Sequence, residues 1–102
     1  MVREEVELVP QRVVLGQNYP NPFNSKTVIP YVLASAGMVE LVVYNLLGQQ
    51  VAVLVNQRQE AEVHQIHWDG YSTAQQRLAS GVYFYRLKSA EGNKVAKLVL
   101  LE

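Results

Sequence analysis

Seven short apolar runs, each bounded by turn-forming residues, are the feature that most constrains the fold of this 102-residue chain. The runs are four to eight residues long and rich in Val, Ile, Leu and Tyr, a composition and length typical of β-strands. They recur at the spacing of sandwiches and barrels. We predict strands at residues 12–15, 27–33, 38–44, 50–55, 63–68, 82–88 and 94–101. A further run at residues 6–9 could extend the first strand.

No crossover helix is predicted between these runs, whereas parallel strands need a connection of a dozen or more residues that is usually helical. Residues 45–48, Asn-Leu-Leu-Gly, have the composition of a type I turn. Residues 91–93, Glu-Gly-Asn, join the last two runs, so both pairs are predicted to be antiparallel hairpins. We expect residues 56–62 to form a connecting loop, because they are polar and too few for a stable helix. The predicted fold class is therefore all-β, an antiparallel two-sheet sandwich of about seven strands.

Residue pattern also predicts which positions are buried. Ile66 and Trp68 share one face of the fifth strand, so Trp68 is expected in the core. The sixth strand is apolar on both faces and is predicted to be central. Pro30 lacks an N–H group, so we place the second strand at a sheet edge or Pro30 at a bulge. The prolines in residues 18–24 are expected to carry that segment across the surface without joining a ladder.

Composition excludes several functional classes. Nine basic and nine acidic residues balance and form no long run of like charge, so no nucleic-acid partner is predicted. The chain has no cysteine, and no window has the roughly 18 to 20 apolar residues that a membrane helix needs. The predicted partners therefore include neither nucleic acid nor a membrane span.

The sequence offers little catalytic chemistry. His64 and His67 fall on opposite faces of a strand and cannot share a metal ion. Asp69 is expected to bond the local backbone as an Asx turn rather than to orient a histidine. We predict no catalytic, cofactor-binding or metal-binding residues, and hence no enzyme and no cofactor. The tyrosines Tyr71, Tyr83 and Tyr85 could form an aromatic platform for a sugar.

Five blocks of sequence together point to a family. They are NYPNPFN at residues 18–24, VYNLLGQQVAVL at 43–54, HWDG at 67–70, LASGVYFYRL at 78–87 and KLVLL at 97–101. In this order and spacing they closely resemble the type A C-terminal sorting domain of the type IX secretion system. That domain is in turn similar to the immunoglobulin-like domain of the flagellar hook-capping protein. The resemblance covers residues 15–101 and departs from the family at Ser25, where proline is usual.

The resemblance implies an immunoglobulin-like sandwich that acts as a secretion signal. Residues 15–102 would be the sorting domain, and residues 1–14 a linker or a first edge strand. The implied function is to direct a larger N-terminal cargo in the same parent chain through the outer-membrane translocon. A sortase-like protease would be a second partner, exchanging the domain for a surface anchor. The implied route is the periplasm in transit, then the cell surface or the extracellular space.

The family signal is concentrated near the end of the chain, which implies a set of recognition candidates. They are Gly81, Tyr83, Lys94, Lys97, Leu98, Val99, Leu100 and Leu101. The closing apolar run fits either a buried strand or a recognition element. The alternatives are a structural or carbohydrate-binding sandwich appended to a secreted enzyme, and an assembly domain like that of the hook cap.

Overall fold

A computed structural model describes residues 12–101 and contains two antiparallel β-sheets. The strands are β1 Val14–Leu15, β2 Thr27–Val32, β3 Gly37–Tyr44, β4 Gln50–Gln59, β5 Val63–Trp68, β6 Gly81–Ser89 and β7 Gly92–Leu100. The small sheet has the order β1-β2-β5, and the large sheet has the order β4-β3-β6-β7. The predicted all-β sandwich and both predicted hairpins are confirmed. The possible strand at residues 6–9 lies outside the described residues.

The fourth strand is longer than its side chains indicate. Residues 56–59 were expected in a loop, but they continue β4 and pair with residues 37–40 of β3. Their side chains are mostly exposed at the end of the sandwich, so polar residues cost little there. The pairing rests on backbone hydrogen bonds, which polar residues supply as well as apolar ones. The loop prediction was wrong for this half of the segment.

Pro30 does not mark an edge strand or a bulge. It lies in β2, the middle strand of the small sheet, and pairs in regular register with Gln65 of β5. Its carbonyl accepts a hydrogen bond from Gly16 N at 2.8 Å, so its nitrogen faces the side of β1 rather than the ladder to β5. Because β1 ends at Leu15, the missing N–H removes no bond from a continuous ladder.

The core lies between the inner faces of the two sheets. Trp68 is buried, and β6 lies between β3 and β7, so both of these predictions are confirmed. Asp69 Oδ1 accepts a hydrogen bond from Tyr71 N at 3.0 Å, which is the expected Asx turn. The largest fully buried side chains of the described part are Tyr31, Tyr85, Ile29, Leu33, Leu41, Leu87 and Leu98.

Two glycines with positive φ allow a matched test of packing at the end of β7. Gly48 and Gly70 have φ of 81° and 82°, so alanine at either position costs about 1–2 kcal/mol of backbone strain. A Cβ at Gly48 would meet nothing within 4 Å, whereas one at Gly70 would lie 3.2 Å from Leu100 Cδ1. We expect Gly70→Ala to lower the unfolding free energy by about 1 kcal/mol more than Gly48→Ala. Urea unfolding followed by tryptophan fluorescence measures the difference, and equal losses would contradict the tight packing at Gly70.

Candidate functional site

The predicted recognition residues lie on the last hairpin, β6 and β7. Gly81 begins β6 directly opposite Leu100, and Tyr83 pairs with Leu98. The side chains of Tyr83, Leu98 and Leu100 are buried in the core, with exposures of 7%, 0% and 3%. The Tyr83 hydroxyl also donates a hydrogen bond to Ala79 O at 2.6 Å. The side chains of Tyr83, Leu98 and Leu100 are therefore held inside the sandwich and covered from solvent.

The remaining candidates are on the surface of β7 or just after it. Lys94 and Lys97 are exposed, Val99 is half-buried, and Leu101 is 47% exposed. Val99 and Lys97 alternate with the core residues Leu98 and Leu100, as the two-residue period of a strand requires. One face of the closing run therefore lies in the core, and the other faces solvent.

The outer edge of β7 is covered by the segment at residues 17–23, which we call the strap. Phe23 N donates to Val99 O at 3.1 Å, and Leu101 N donates to Phe23 O at 2.7 Å. Asn21 Oδ1 accepts from Val99 N at 2.9 Å, and Gln17 Nε2 donates to Lys97 O at 2.8 Å. The strap thus occupies the hydrogen-bonding edge of the last strand from Lys97 to Leu101.

The same strap also pairs with the small sheet, which the sequence analysis missed. Tyr19 exchanges two backbone hydrogen bonds with Val28, at 3.0 and 2.9 Å. Proline at alternate positions keeps the intervening residues extended, and extended residues between prolines have free N–H and C=O groups. These pairings are isolated bridges, so the segment joins no continuous ladder, but its bonding to both sheets was not predicted. The signal available in the sequence was the alternation of proline with hydrogen-bonding residues.

A buried polar network lies beneath the strap. Asn18 and Thr27 are each 1% exposed, and Asn18 Nδ2 donates to Thr27 Oγ1 at 3.0 Å. The Tyr85 hydroxyl donates to Gly16 O at 2.7 Å and accepts from Asn18 N at 2.9 Å. Burial raises the pKa of Tyr85 above the usual 10.0, against a smaller lowering by the Asn18 amide. The phenol is therefore protonated at neutral pH and ties the strap to β6.

Removing this hydroxyl should destabilise the fold measurably. Tyr85→Phe leaves Gly16 O and Asn18 N without their partner in a buried site, so we expect a loss of about 1–3 kcal/mol of unfolding free energy. Tyr44→Phe is the matched control, because Tyr44 is half-buried on the outer face and pairs through its ring with Arg86. Chemical denaturation of both variants gives the comparison, and a loss no greater than in the control would show that the network contributes nothing.

An aromatic contact joins the strap to the small sheet and to β7. Phe23 is 2% exposed and its ring lies 5.6 Å from that of Trp68, tilted by 53°. Trp68 Nε1 donates to Tyr71 O at 2.9 Å, so its polar end is satisfied. Close to this pair, Gly70 approaches both Phe23 and Leu100. Strap, β5 and β7 therefore meet in one packed cluster.

The tyrosines do not form the sugar platform that the sequence suggested. Tyr83 and Tyr85 face the core, with exposures of 7% and 0%, while half-buried Tyr71 lies on the turn after β5. Side chains alternate between the two faces of a strand, and the face of β6 that carries Tyr83, Tyr85 and Leu87 is the one buried in the core. That prediction was wrong.

The side chains that could bind a metal ion are scattered over the described part of the chain. Residues 12–101 contain no group of three or more His, Asp or Glu residues placed to hold a metal ion. His64 stacks on Tyr31 with ring centroids 5.2 Å apart, and His67 is exposed. No helix in this part of the chain is long and apolar enough to cross a membrane.

Solved structures from one bacterium share this fold. One is PorZ of Porphyromonas gingivalis, described as an essential bacterial surface component of its type IX secretion system. It has a TM-score of 0.58 and 17% identity, over 84% of this chain and 11% of that chain. The second is dimeric latent PorU from the same organism, with a TM-score of 0.67 and 22% identity. This match covers 87% of this chain and 9% of that chain, so the present chain spans about a tenth of either protein.

The fold and the site define a small β-sandwich module whose last strand, β7, is hydrogen-bonded along its outer edge to the strap. The family model described as the secretion system C-terminal sorting domain matches residues 17–101. The chain belongs to this family, the sorting domains of type IX secretion, and the resemblance noted in the sequence is confirmed. No curated protein sequence matches the chain.

Proposed function

We propose that this domain is a folded sorting signal that the outer-membrane translocon of type IX secretion recognises, and that it catalyses no reaction. The observation that carries the proposal is the family match over residues 17–101. In this proposal residues 15–102 form the sorting domain, and residues 1–14 join it to an N-terminal cargo. The cargo crosses the periplasm and ends at the cell surface or in the extracellular space. A sortase-like protease then removes the domain and exchanges it for a surface anchor.

The exposed and the buried residues of β6 and β7 would have different roles in this function. A receptor that binds the folded domain can contact Lys94, Lys97 and Leu101, which are exposed. It cannot contact Leu98 and Leu100 while these fill the core. We therefore assign recognition to the outer face of the closing strand, with Lys97, Val99 and Leu101, and to Lys94 at the exposed start of the opposite face. We assign Gly81, Tyr83 and the two buried leucines to holding that strand in place.

An export assay in a type IX host tests this assignment. The domain is fused behind a signal peptide and a fluorescent cargo, and surface cargo is measured by accessibility to external protease. We expect Lys94→Gln/Lys97→Gln to reduce surface cargo about tenfold, a loss typical of removing charged contacts from an interface. Lys26→Gln/Arg77→Gln is the control, because it removes two exposed charges from residues outside β7.

Folding must be excluded as the cause of any loss. Both double variants change exposed side chains, so both should keep the unfolding midpoint of the parent domain. Equal export by the two variants would refute the role of the β7 lysines. Failure of the parent domain itself to export the cargo would refute the proposed function as a whole.

A further inference from the structure

The turn between β3 and β4 holds two leucines rigidly in solvent. Leu46 and Leu47 are 66% and 83% exposed. Asn45 Oδ1 accepts hydrogen bonds from Leu47 N and Gln49 N, each at 2.9 Å. Gly48 N donates to Asn45 O at 3.0 Å. These bonds fix the turn through Asn45 and Gly48, so the turn itself does not require leucine at its two central positions.

An apolar recess adjoins this turn on the outer face of the large sheet. The recess has a volume of about 330 Å³ and is lined by Tyr44, Leu46, Phe84, Arg86 and Val95 among others. Cross-strand pairing places Tyr44 beside Phe84, and Arg86 beside Val95. Val95 is 62% exposed. We call Tyr44, Leu46, Leu47, Phe84, Arg86 and Val95 the leucine-turn surface, which is apolar and aromatic where a solvated outer face is normally polar.

The charges on this face are predominantly positive. On this face β6 carries Arg86 and Lys88, and β7 carries Lys97. Glu40 of β3, which pairs with Lys88, supplies a carboxylate. Arg86 lies over the Tyr44 ring at 5.2 Å, and its Nε is buried without a hydrogen-bond partner. Residues 12–101 contain one ion pair, between Arg58 and Glu60. Arg86 therefore forms no ion pair with a carboxylate of the described residues. A ligand that brings a carboxylate to this site would meet an unneutralised guanidinium.

We infer that the leucine-turn surface binds a protein segment that combines apolar side chains with carboxylates. The apolar side chains would pack on Leu46, Leu47 and Phe84, and a carboxylate would face Arg86. Hydrogen bonds already fix the backbone of the turn, which lowers the entropy cost of binding there. Aromatic residues and arginine are the types enriched in interface centres. The inference rests on the proposed function for the source of the segment, which is a component of the secretion machinery.

A displayed library of random peptides tests the chemistry without a known partner. Peptides are selected on the full 102-residue chain and counted again on Leu46→Ser/Leu47→Ser and on Arg86→Gln. We expect enriched peptides to combine Asp or Glu with Leu or Phe, and to bind both variants about tenfold more weakly. Met38→Ser is the matched control, because Met38 is 61% exposed and lies at the start of β3, whereas the turn follows the end of that strand.

Three outcomes would overturn the inference. Enriched peptides without acidic residues would remove the charge argument. Peptides that bind the leucine-turn variants as well as the parent would place the site elsewhere. Concentration-dependent dimers in analytical ultracentrifugation that disappear in Leu46→Ser/Leu47→Ser would identify a second copy of the chain as the occupant.

The export assay separates this inference from the proposed function. If the parent domain exports cargo and Leu46→Ser/Leu47→Ser does so equally well, the inference fails and the proposed function stands. If the parent domain exports nothing, the proposed function fails, whereas the peptide selection still decides the binding chemistry. All variants must retain the unfolding midpoint of the parent, which the exposed positions of both leucines favour.

Discussion

Replacing Phe23 by alanine is expected to lower the free energy of unfolding by about 3–5 kcal/mol, the range for large buried aromatic side chains. Phe23 is 2% exposed and packs against Trp68 at a centroid distance of 5.6 Å. Its removal opens a cavity at the point where strap, β5 and β7 meet. Equilibrium denaturation in urea, followed by Trp68 fluorescence and circular dichroism together, measures the loss.

The matched control for this variant is Tyr19→Ala, since Tyr19 lies in the same strap but is 49% exposed. Its backbone bonds to Val28 survive the substitution, so we expect less than about 1 kcal/mol. Hydrogen exchange gives a local readout, because the Leu101 amide is bonded to the Phe23 carbonyl and should lose protection in Phe23→Ala. A Phe23→Ala protein as stable as Tyr19→Ala would mean that the strap does not hold the closing strand.

Deleting residues 98–102 should abolish cooperative folding. The deletion removes Leu98 and Leu100, which are 0% and 3% exposed, and each buried leucine contributes about 2–5 kcal/mol. It also removes the β7 partners of Gly81 and Tyr83, and the ladder partner of Phe23. Since domains of this size are stable by only about 5–15 kcal/mol, the loss should exceed what the remaining contacts can offset.

Circular dichroism with urea titration checks the deletion, and Leu101→Ser is its control, because Leu101 is 47% exposed and keeps its backbone bond to the strap. A deleted chain that still unfolds in one sharp transition would show that the closing strand is dispensable for the fold. If the expected result is obtained, an export defect caused by the same deletion of residues 98–102 cannot distinguish lost recognition from lost structure. Substitutions at exposed positions of β7 are needed for that purpose.

Much of the fold could be predicted from the sequence because local pattern and tertiary contact agree there. Strict alternation placed Trp68 in the core, and the continuous apolar run of β6 placed that strand in the middle of a sheet. Asn45 and Gly48 specified a turn through their own chemistry. In each case the signal is contained in a few consecutive residues, even where the contact that it predicts is with a distant segment.

The errors come from interactions that depend on distant partners. Residues 56–59 form a strand because β3 extends alongside them, which their polar side chains do not reveal. Pro30 tolerates a middle strand because β1 is only two residues long. The strap pairs with Val28 and Val99, and neither partner can be read from its prolines.

The candidate site was predicted as a set of residues but not as an arrangement. The family resemblance pointed to the residues of β6 and β7, but it did not predict that Leu98 is buried whereas Lys97 is exposed. That difference depends on the side of β7 that faces the core, which is set by pairing with β6. The exposed leucines of the turn were noted in the sequence only as turn residues, since their exposure follows from the hairpin that displays them.

The most direct measurement is the surface fraction of a periplasm-targeted fluorescent cargo, with and without this domain, in a type IX host and in the same host lacking its translocon. We expect surface cargo only where the folded domain and the translocon are both present. Cargo at the surface without the domain, or in equal amount without the translocon, would contradict the proposed function.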